Sequence, residues 1–244
     1  MASNPPIHTN IHEHIHVYAD GAVLDQIPSL IQRFKVRGFT TNPTLMAQAG
    51  IRDYETFARS LLESTGELPV SFEVFDDDLA GMQRQALKLA AWGKSVYVKI
   101  PITNTLRQPT NELIRALSRE GVKVNVTAVF TPEQIDSLVD CFPSGTPGVV
   151  SVFAGRIADA GIDPAPILRH ALQRFAAQEH VQLLWASVRE VFNVVTAAEV
   201  GCQIVTVPIP MLEKLNSLGK DLTEFSLDTV KMFRKDAVAS GFNL

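Results

Sequence analysis

Val96-Tyr97-Val98-Lys99-Ile100-Pro101 is a run of β-branched and aromatic residues interrupted by one lysine and closed by a proline. Apolar, β-branched runs of this length between turn signals read as strands, so a strand is expected over 96–101. Seven comparable runs lie at 16–20, 38–42, 70–74, 123–129, 149–153, 183–187 and 204–208. Between them the apolar residues change to helical spacing: Ile27, Leu30, Ile31 and Phe34 mark one face, and Tyr54, Phe57, Ala58, Leu61 and Leu62 another. Helix starts are signalled as well. Thr131-Pro132-Glu133-Gln134 has the form of a capping box with proline at the first helical position, and Asp163-Pro164 opens a stretch carrying Ile167, Leu168, Ala171, Leu172 and Phe175.

Strands that alternate with helices must run parallel, because parallel neighbours cannot be joined by a tight turn. Eight such units in a chain of this length predict an α/β fold of the (β/α)8 TIM barrel type. A doubly wound open sheet is the competing arrangement, but no glycine-rich fingerprint follows the first strand. One domain over 16–244 is expected, preceded by a flexible leader over 1–15. An additional amphipathic helix is expected over 226–240, where Leu227, Val230, Phe233 and Ala237 are apolar. Such an appended helix covers an end of its own barrel or packs on a neighbouring subunit.

The chain has 244 residues, 46% hydrophobic and 20% charged, enough for a substantial core. A formal net charge of −4 gives no long-range attraction to nucleic acid or to an anionic membrane surface, so small-molecule chemistry is favoured. Cys141 and Cys202 have no CxxC spacing, which suggests neither a disulfide framework nor a zinc site. No apolar stretch is long enough for a membrane span, and residues 1–10 lack the pattern of a signal peptide, so a cytoplasmic location is expected. The leader carries His8, His12, His14 and His16, the last three sharing one face if the segment is extended. With no neighbouring group to orient a ligating histidine, it reads as a solvated leader in preference to a metal site.

A barrel places its active site at the carboxyl ends of the strands, and the polar residues there form a concentrated set. In strand order they are Asp20; Thr40, Thr41 and Asn42; Glu73; Lys99; Asn125 and Thr127; Ser151 and Arg156; and Ser187 and Arg189. Thr40 or Ser151 alone would read as a satisfied core hydroxyl. Several ionisable groups at one level cost stability that a purely structural barrel need not give up. Lys99 is central. A lysine buried among apolar neighbours tends to lose its proton, and the neutral amine attacks carbonyls, which points to Schiff-base chemistry; the competing reading is a snorkelling or ion-paired lysine. An imine on a ketose is an electron sink for breaking the adjacent carbon–carbon bond, and Asp20 and Glu73 are the carboxylates available for the accompanying proton transfers. Arg156, Arg189 and Ser187 suit a phosphate clamp, although either arginine could equally close a salt bridge at the rim.

With these residues in place the chain resembles the transaldolase family, in size its small branch that includes fructose-6-phosphate aldolase. Four segments carry the resemblance: Gly38-Phe39-Thr40-Thr41-Asn42-Pro43-Thr44, Val98-Lys99-Ile100-Pro101, Val124-Asn125-Val126-Thr127 and Ala186-Ser187-Val188-Arg189. The resemblance implies a (β/α)8 barrel that transfers a dihydroxyacetone unit between sugar phosphates through a lysine imine, with no metal and no organic cofactor. It implies Lys99 as nucleophile, Asp20 as acid/base for bond cleavage, and Glu73 with Thr127 as holders of the catalytic water. Thr41, Asn42, Asn125 and Ser151 are then candidate substrate contacts, and Arg156, Ser187 and Arg189 candidate phosphate ligands. It also implies a homo-oligomer, a pentamer or decamer in which the terminal helix reaches a neighbour.

Glu73 and Phe153 match the transaldolase side of the family, whose aldolase branch carries glutamine and tyrosine there. Without a tyrosine hydroxyl to protonate the enamine, transfer to an aldehyde is favoured over release of free dihydroxyacetone. Trp185 stands where the family usually has a small residue. Alternation with Ser187 predicts that its indole faces the mouth and influences specificity. A lyase releasing free dihydroxyacetone and a non-catalytic barrel are the other two readings. The lyase predicts activity without an acceptor, and the silent barrel predicts no adduct on Lys99.

Overall fold

Parallel ladders join β1 (His16–Asp20) to β2 (Gly38–Thr40) and run on through β3 (Val70–Glu73), β4 (Val96–Pro101), β5 (Val124–Val129), β6 (Gly148–Val152) and β7 (Val181–Trp185) to β8 (Ile204–Pro208). β8 pairs back onto β1, closing the sheet into the expected (β/α)8 barrel. Closure leaves no strand edge in the ladder. This computed structural model describes residues 10–21, 23–143 and 145–242. The crossovers are α1 (Ile27–Phe34), α2 (Pro43–Gln48) with α3 (Tyr54–Thr65), α4 (Leu79–Ala90), α5 (Asn111–Arg119), α6 (Pro132–Leu138), α7 (Ala154–Asp159) with α8 (Ala165–Phe175), and α9 (Phe192–Val200). α10 (Ile209–Leu212) and α11 (Leu222–Ser240) follow β8. Among the described residues, no helix is long and apolar enough to cross a membrane.

Local chemistry sets the ends of these elements. Thr131 and Gln134 form the capping box that opens α6, each bonding back to the other's backbone. β2 stops at Thr40, two residues short of the sequence reading, because Asn42 turns to cap α2 with its side-chain oxygen 3.0 Å from the Leu45 amide. β7 ends at Trp185 where 183–187 was expected; Ser187 leaves the strand with φ +66. α11 begins at Leu222, four residues early, since Asp221 accepts from the Thr223 and Glu224 amides. At the other end, Ile11 and Ile15 are buried in the core, so packed structure reaches upstream of residue 16, into the segment read as leader. Of its histidines, His8 lies outside the described residues. Among those described, no group of three or more His, Cys, Asp or Glu side chains could hold a metal ion.

Register partners on neighbouring strands share a face, and two rows define the barrel's inside and outside. Ser151, Leu184 and Ile204 form one row. Leu184 and Ile204 pack with Tyr18, Val149 and Ala186 as a lumen cluster that contains no helix residue. The adjacent row, Val152, Trp185 and Val205, belongs to the large cluster that also includes Ile135 of α6 and Leu168 and Ala171 of α8. The sheet is therefore packed on both faces, as parallel sheets require. Gly38 makes room in the lumen: a Cβ there would lie 2.6 Å from the ring of Tyr18, its partner across the ladder.

Candidate active site at the barrel mouth

Above the apolar lumen cluster, every strand except β7 turns a polar group inward. Glu73, Lys99 and Asn125 are successive register partners on β3, β4 and β5, which brings the carboxylate and the amine together. Lys99 Nζ lies 2.9 Å from Glu73 Oε2 and donates to the Thr41 carbonyl at 2.9 Å. Its side chain is 9% exposed and that of Glu73 20%. The carboxylate and the backbone carbonyl together fix the position of the Lys99 amine in a site largely closed to solvent.

A second network holds Asn125, which is fully buried. Its Nδ2 donates to Ser71 Oγ at 3.1 Å and its Oδ1 accepts from Ser151 Oγ at 2.7 Å. One amide hydrogen of Asn125 has no protein partner among the described residues. Thr127 is buried on the same strand, its hydroxyl unpartnered among the described residues, just before a bulge at which Ala128 takes φ +58. An orphaned buried hydroxyl costs stability and marks a position where water or substrate can bond.

On the opposite wall Asp20 accepts from Thr40 Oγ1 at 2.8 Å, and Thr40 in turn bonds Thr206 Oγ1 at 2.5 Å. Burial raises the pKa of Asp20 above the ordinary carboxylate value. The nearby ammonium of Lys99 and the Thr40 hydrogen bond pull it down, and Glu73 pushes it further up.

At the rim, Arg156 lies with its guanidinium carbon 5.6 Å from the centroid of the Phe153 ring, which packs against Phe130 at 5.6 Å. Arg156 makes no ion pair among the described residues, leaving its donors open. Arg189 differs: its fork bonds both oxygens of Asp159, the shortest contact being 2.6 Å, with both side chains about half exposed. Ser187, in the left-handed conformation, sits against Gly155, where a Cβ would fall 1.5 Å from the Ser187 carbonyl oxygen. Glycine alone permits that approach of α7 to the β7 loop.

One sequence expectation needs correction. Trp185 is buried, 1% exposed, with its neighbours Leu184 and Ala186 in the lumen cluster, so the indole faces the helix layer and not the mouth. Alternation was counted from Ser187, but Ser187 has left the strand and its backbone no longer obeys strand parity. Thr41 reaches the site through its carbonyl, while its hydroxyl donates to the Ser71 carbonyl at 3.1 Å. Asn42 uses its side-chain oxygen as a helix cap, and its amide hydrogens have no partner among the described residues. Ser71 and Thr206 are additions. Both lie at inward parity, two residues before Glu73 and before Pro208, and that periodicity was the available signal.

Residues 17–244 match the family described as transaldolase/fructose-6-phosphate aldolase. A protein named probable transaldolase from Dehalococcoides mccartyi is 33% identical over 202 residues, covering 82% of this chain and 90% of that protein. One from a Thermoanaerobacter species is 34% identical over 215 residues, covering 88% and 94%. Among solved structures, dihydrodipicolinate synthase from Rhodopseudomonas palustris superposes with a TM-score of 0.58 at 15% identity, covering 92% of this chain and 80% of that one. Deoxyribose phosphate aldolase from Aeropyrum pernix gives 0.57 at 13%, covering 88% and 99%. At these identities the structural likeness is one of fold.

Proposed function

This chain belongs to the transaldolase/fructose-6-phosphate aldolase family of enzymes, and we propose that within it the protein is a transaldolase that moves a dihydroxyacetone unit from a ketose phosphate to an aldose phosphate. The observation that carries the reading is the buried Lys99–Glu73 pair at 2.9 Å, facing Asp20 across the barrel mouth. Glu73 takes a proton from the Lys99 ammonium, and the freed amine adds to the C2 carbonyl of the ketose. Loss of water from the carbinolamine gives the imine. Asp20, as carboxylate, removes the proton of the C4 hydroxyl while the C3–C4 bond breaks; the bonding pair flows into the imine to give an enamine, and the aldose leaves. Addition of a second aldehyde reverses these steps, and hydrolysis returns Lys99.

In this reading Glu73 and the unpartnered hydroxyl of Thr127 hold the water that is lost and regained. Asn125 and Asn42 offer free amide hydrogens to substrate hydroxyls, Ser151 orients Asn125, and Arg156 with Ser187 receives the phosphate. Arg189 joins them only by exchanging Asp159 for the phosphate. Phe153, with its ring beneath Arg156, supplies no hydroxyl to protonate the enamine, which supports transfer over lysis. α11 has no buried residue and presents Phe225, Val230, Phe233 and Val238 to solvent, which supports a homo-oligomer, a pentamer or decamer by resemblance.

Acceptor dependence tests the reading. With fructose 6-phosphate as donor, glyceraldehyde 3-phosphate should form only when erythrose 4-phosphate is also present. Product with free dihydroxyacetone in the absence of acceptor would assign the protein to the lyase branch.

A further inference from the structure

Thr206 lies on β8, on the far side of the barrel mouth from Lys99, and belongs to no segment that the family resemblance rests on. It is 5% exposed and bonded to Thr40 at 2.5 Å. Thr40 has one hydroxyl proton and donates it to Asp20 Oδ1 at 2.8 Å. While Asp20 is a carboxylate, therefore, the proton in the Thr40–Thr206 bond must come from Thr206. The three groups form a one-way chain across β8, β2 and β1, with Thr206 donating to Thr40 and Thr40 to Asp20. Register supports the geometry: Asp20 pairs with Thr40 on one side and, two residues below, Tyr18 pairs with Thr206 on the other.

We propose that Thr206 is the positioning residue for Asp20: by donating to Thr40 it withdraws its own oxygen as a competing acceptor and leaves the Thr40 proton aimed at the carboxylate that takes up the C4 hydroxyl proton. The inference rests on the proposed role of Asp20 in bond cleavage. A bond donated to by another hydroxyl is polarised and strengthened, so Thr206 acts on Asp20 through Thr40 without touching substrate. The charged groups facing Asp20 are Lys99 from β4 and Glu73 from β3; β2 and β8 present hydroxyls alone among the described residues. With burial opposing ionisation, those hydroxyls are the neutral part of what keeps Asp20 a base.

Removing the Thr206 hydroxyl weakens the Thr40–Asp20 bond and stabilises the carboxylate less. The acidic limb of kcat/KM, which reports the free enzyme's essential base, should then move to higher pH. The experiment compares pH profiles of parent, Thr206→Val, Thr206→Ser and Thr40→Val, with fructose 6-phosphate and erythrose 4-phosphate as substrates. Thr206→Val is expected to shift the limb upward by several tenths to about one pH unit and to lower kcat with KM nearly unchanged, as follows for a hydrogen bond lost from a buried carboxylate. Thr40→Val should shift it further, and Thr206→Ser should restore the parent limb. A limb that stays in place in Thr206→Val, or that Thr206→Ser moves equally, would overturn the proposal. Asp20→Asn run in parallel separates the two levels: retained turnover in that variant would overturn the role of Asp20 itself. Loss of turnover there with an unshifted Thr206→Val limb would overturn only the role of Thr206.

Discussion

The upper and lower halves of the barrel lumen are built from the same eight strands by the same alternation, yet they solve opposite problems. Below, Tyr18, Val149, Leu184 and Ile204 fill the space with apolar volume. Above, Asp20, Thr40, Glu73, Lys99, Asn125, Thr127, Ser151 and Thr206 fill it with charge and hydrogen bonds. The lower half needs only hydrophobic burial. The upper half carries a raised carboxylate pKa, a buried ion pair and an orphaned hydroxyl, each of which costs stability. The lesson is a division of labour in which the floor supplies the stability that the mouth gives up.

Substitutions in the two halves should therefore fail in opposite ways. Lys99→Met is expected to lower transfer activity by at least about 10⁴-fold, the scale found when a covalent nucleophile is removed. The double variant carrying Lys99→Met and Glu73→Gln removes both charges and should melt at or above the parent temperature, which calorimetry checks. In the floor, Leu184→Ala should cost about 2–5 kcal/mol in chemical denaturation while Lys99 still reacts with substrate. A floor variant that kept its stability, or a Lys99→Met, Glu73→Gln double variant that lost it, would break the contrast.

Asp20→Asn sharpens it through pH. A carboxyl whose folded pKa is raised favours the native state at low pH, and that stabilisation is lost as pH rises through the folded pKa. In its ionised form the buried Asp20 is therefore a net cost. Asp20→Asn should melt higher than the parent at pH 7, with the gap closing on acidification and catalysis lost throughout. At the rim, Arg156→Ala should raise KM for a phosphorylated ketose about 10- to 100-fold, as expected for a lost charge-assisted pair, and leave an unphosphorylated donor nearly unaffected. Trp185→Phe should have the smallest catalytic effect, with donor preference unchanged and a stability loss of about 1–3 kcal/mol. Altered donor preference would return Trp185 to the mouth.

Most of the barrel was legible in the sequence because period-2 runs and capping residues are local signals. His16–Asp20, Val96–Pro101 and Ile204–Pro208 end where their residues said they would. The polar mouth was legible too, since inward parity at strand ends lines up Asp20, Glu73, Lys99, Asn125 and Ser151. What the sequence concealed was non-local. The outward turn of Trp185 depends on Ser187 leaving the strand with φ +66, and the capture of Arg189 by Asp159 depends on how α7 packs beside the β7 loop. Thr206 was at the right parity, but its role arises from Thr40, 166 residues away in the chain.

Intact-protein and peptide mass spectrometry after incubation with fructose 6-phosphate and sodium borohydride probes the centre of the mouth most directly. The expected result is one reduced dihydroxyacetone unit per chain, located on Lys99 and missing in Lys99→Met. An adduct on another lysine, or one that persists in Lys99→Met, would contradict Lys99 as the nucleophile.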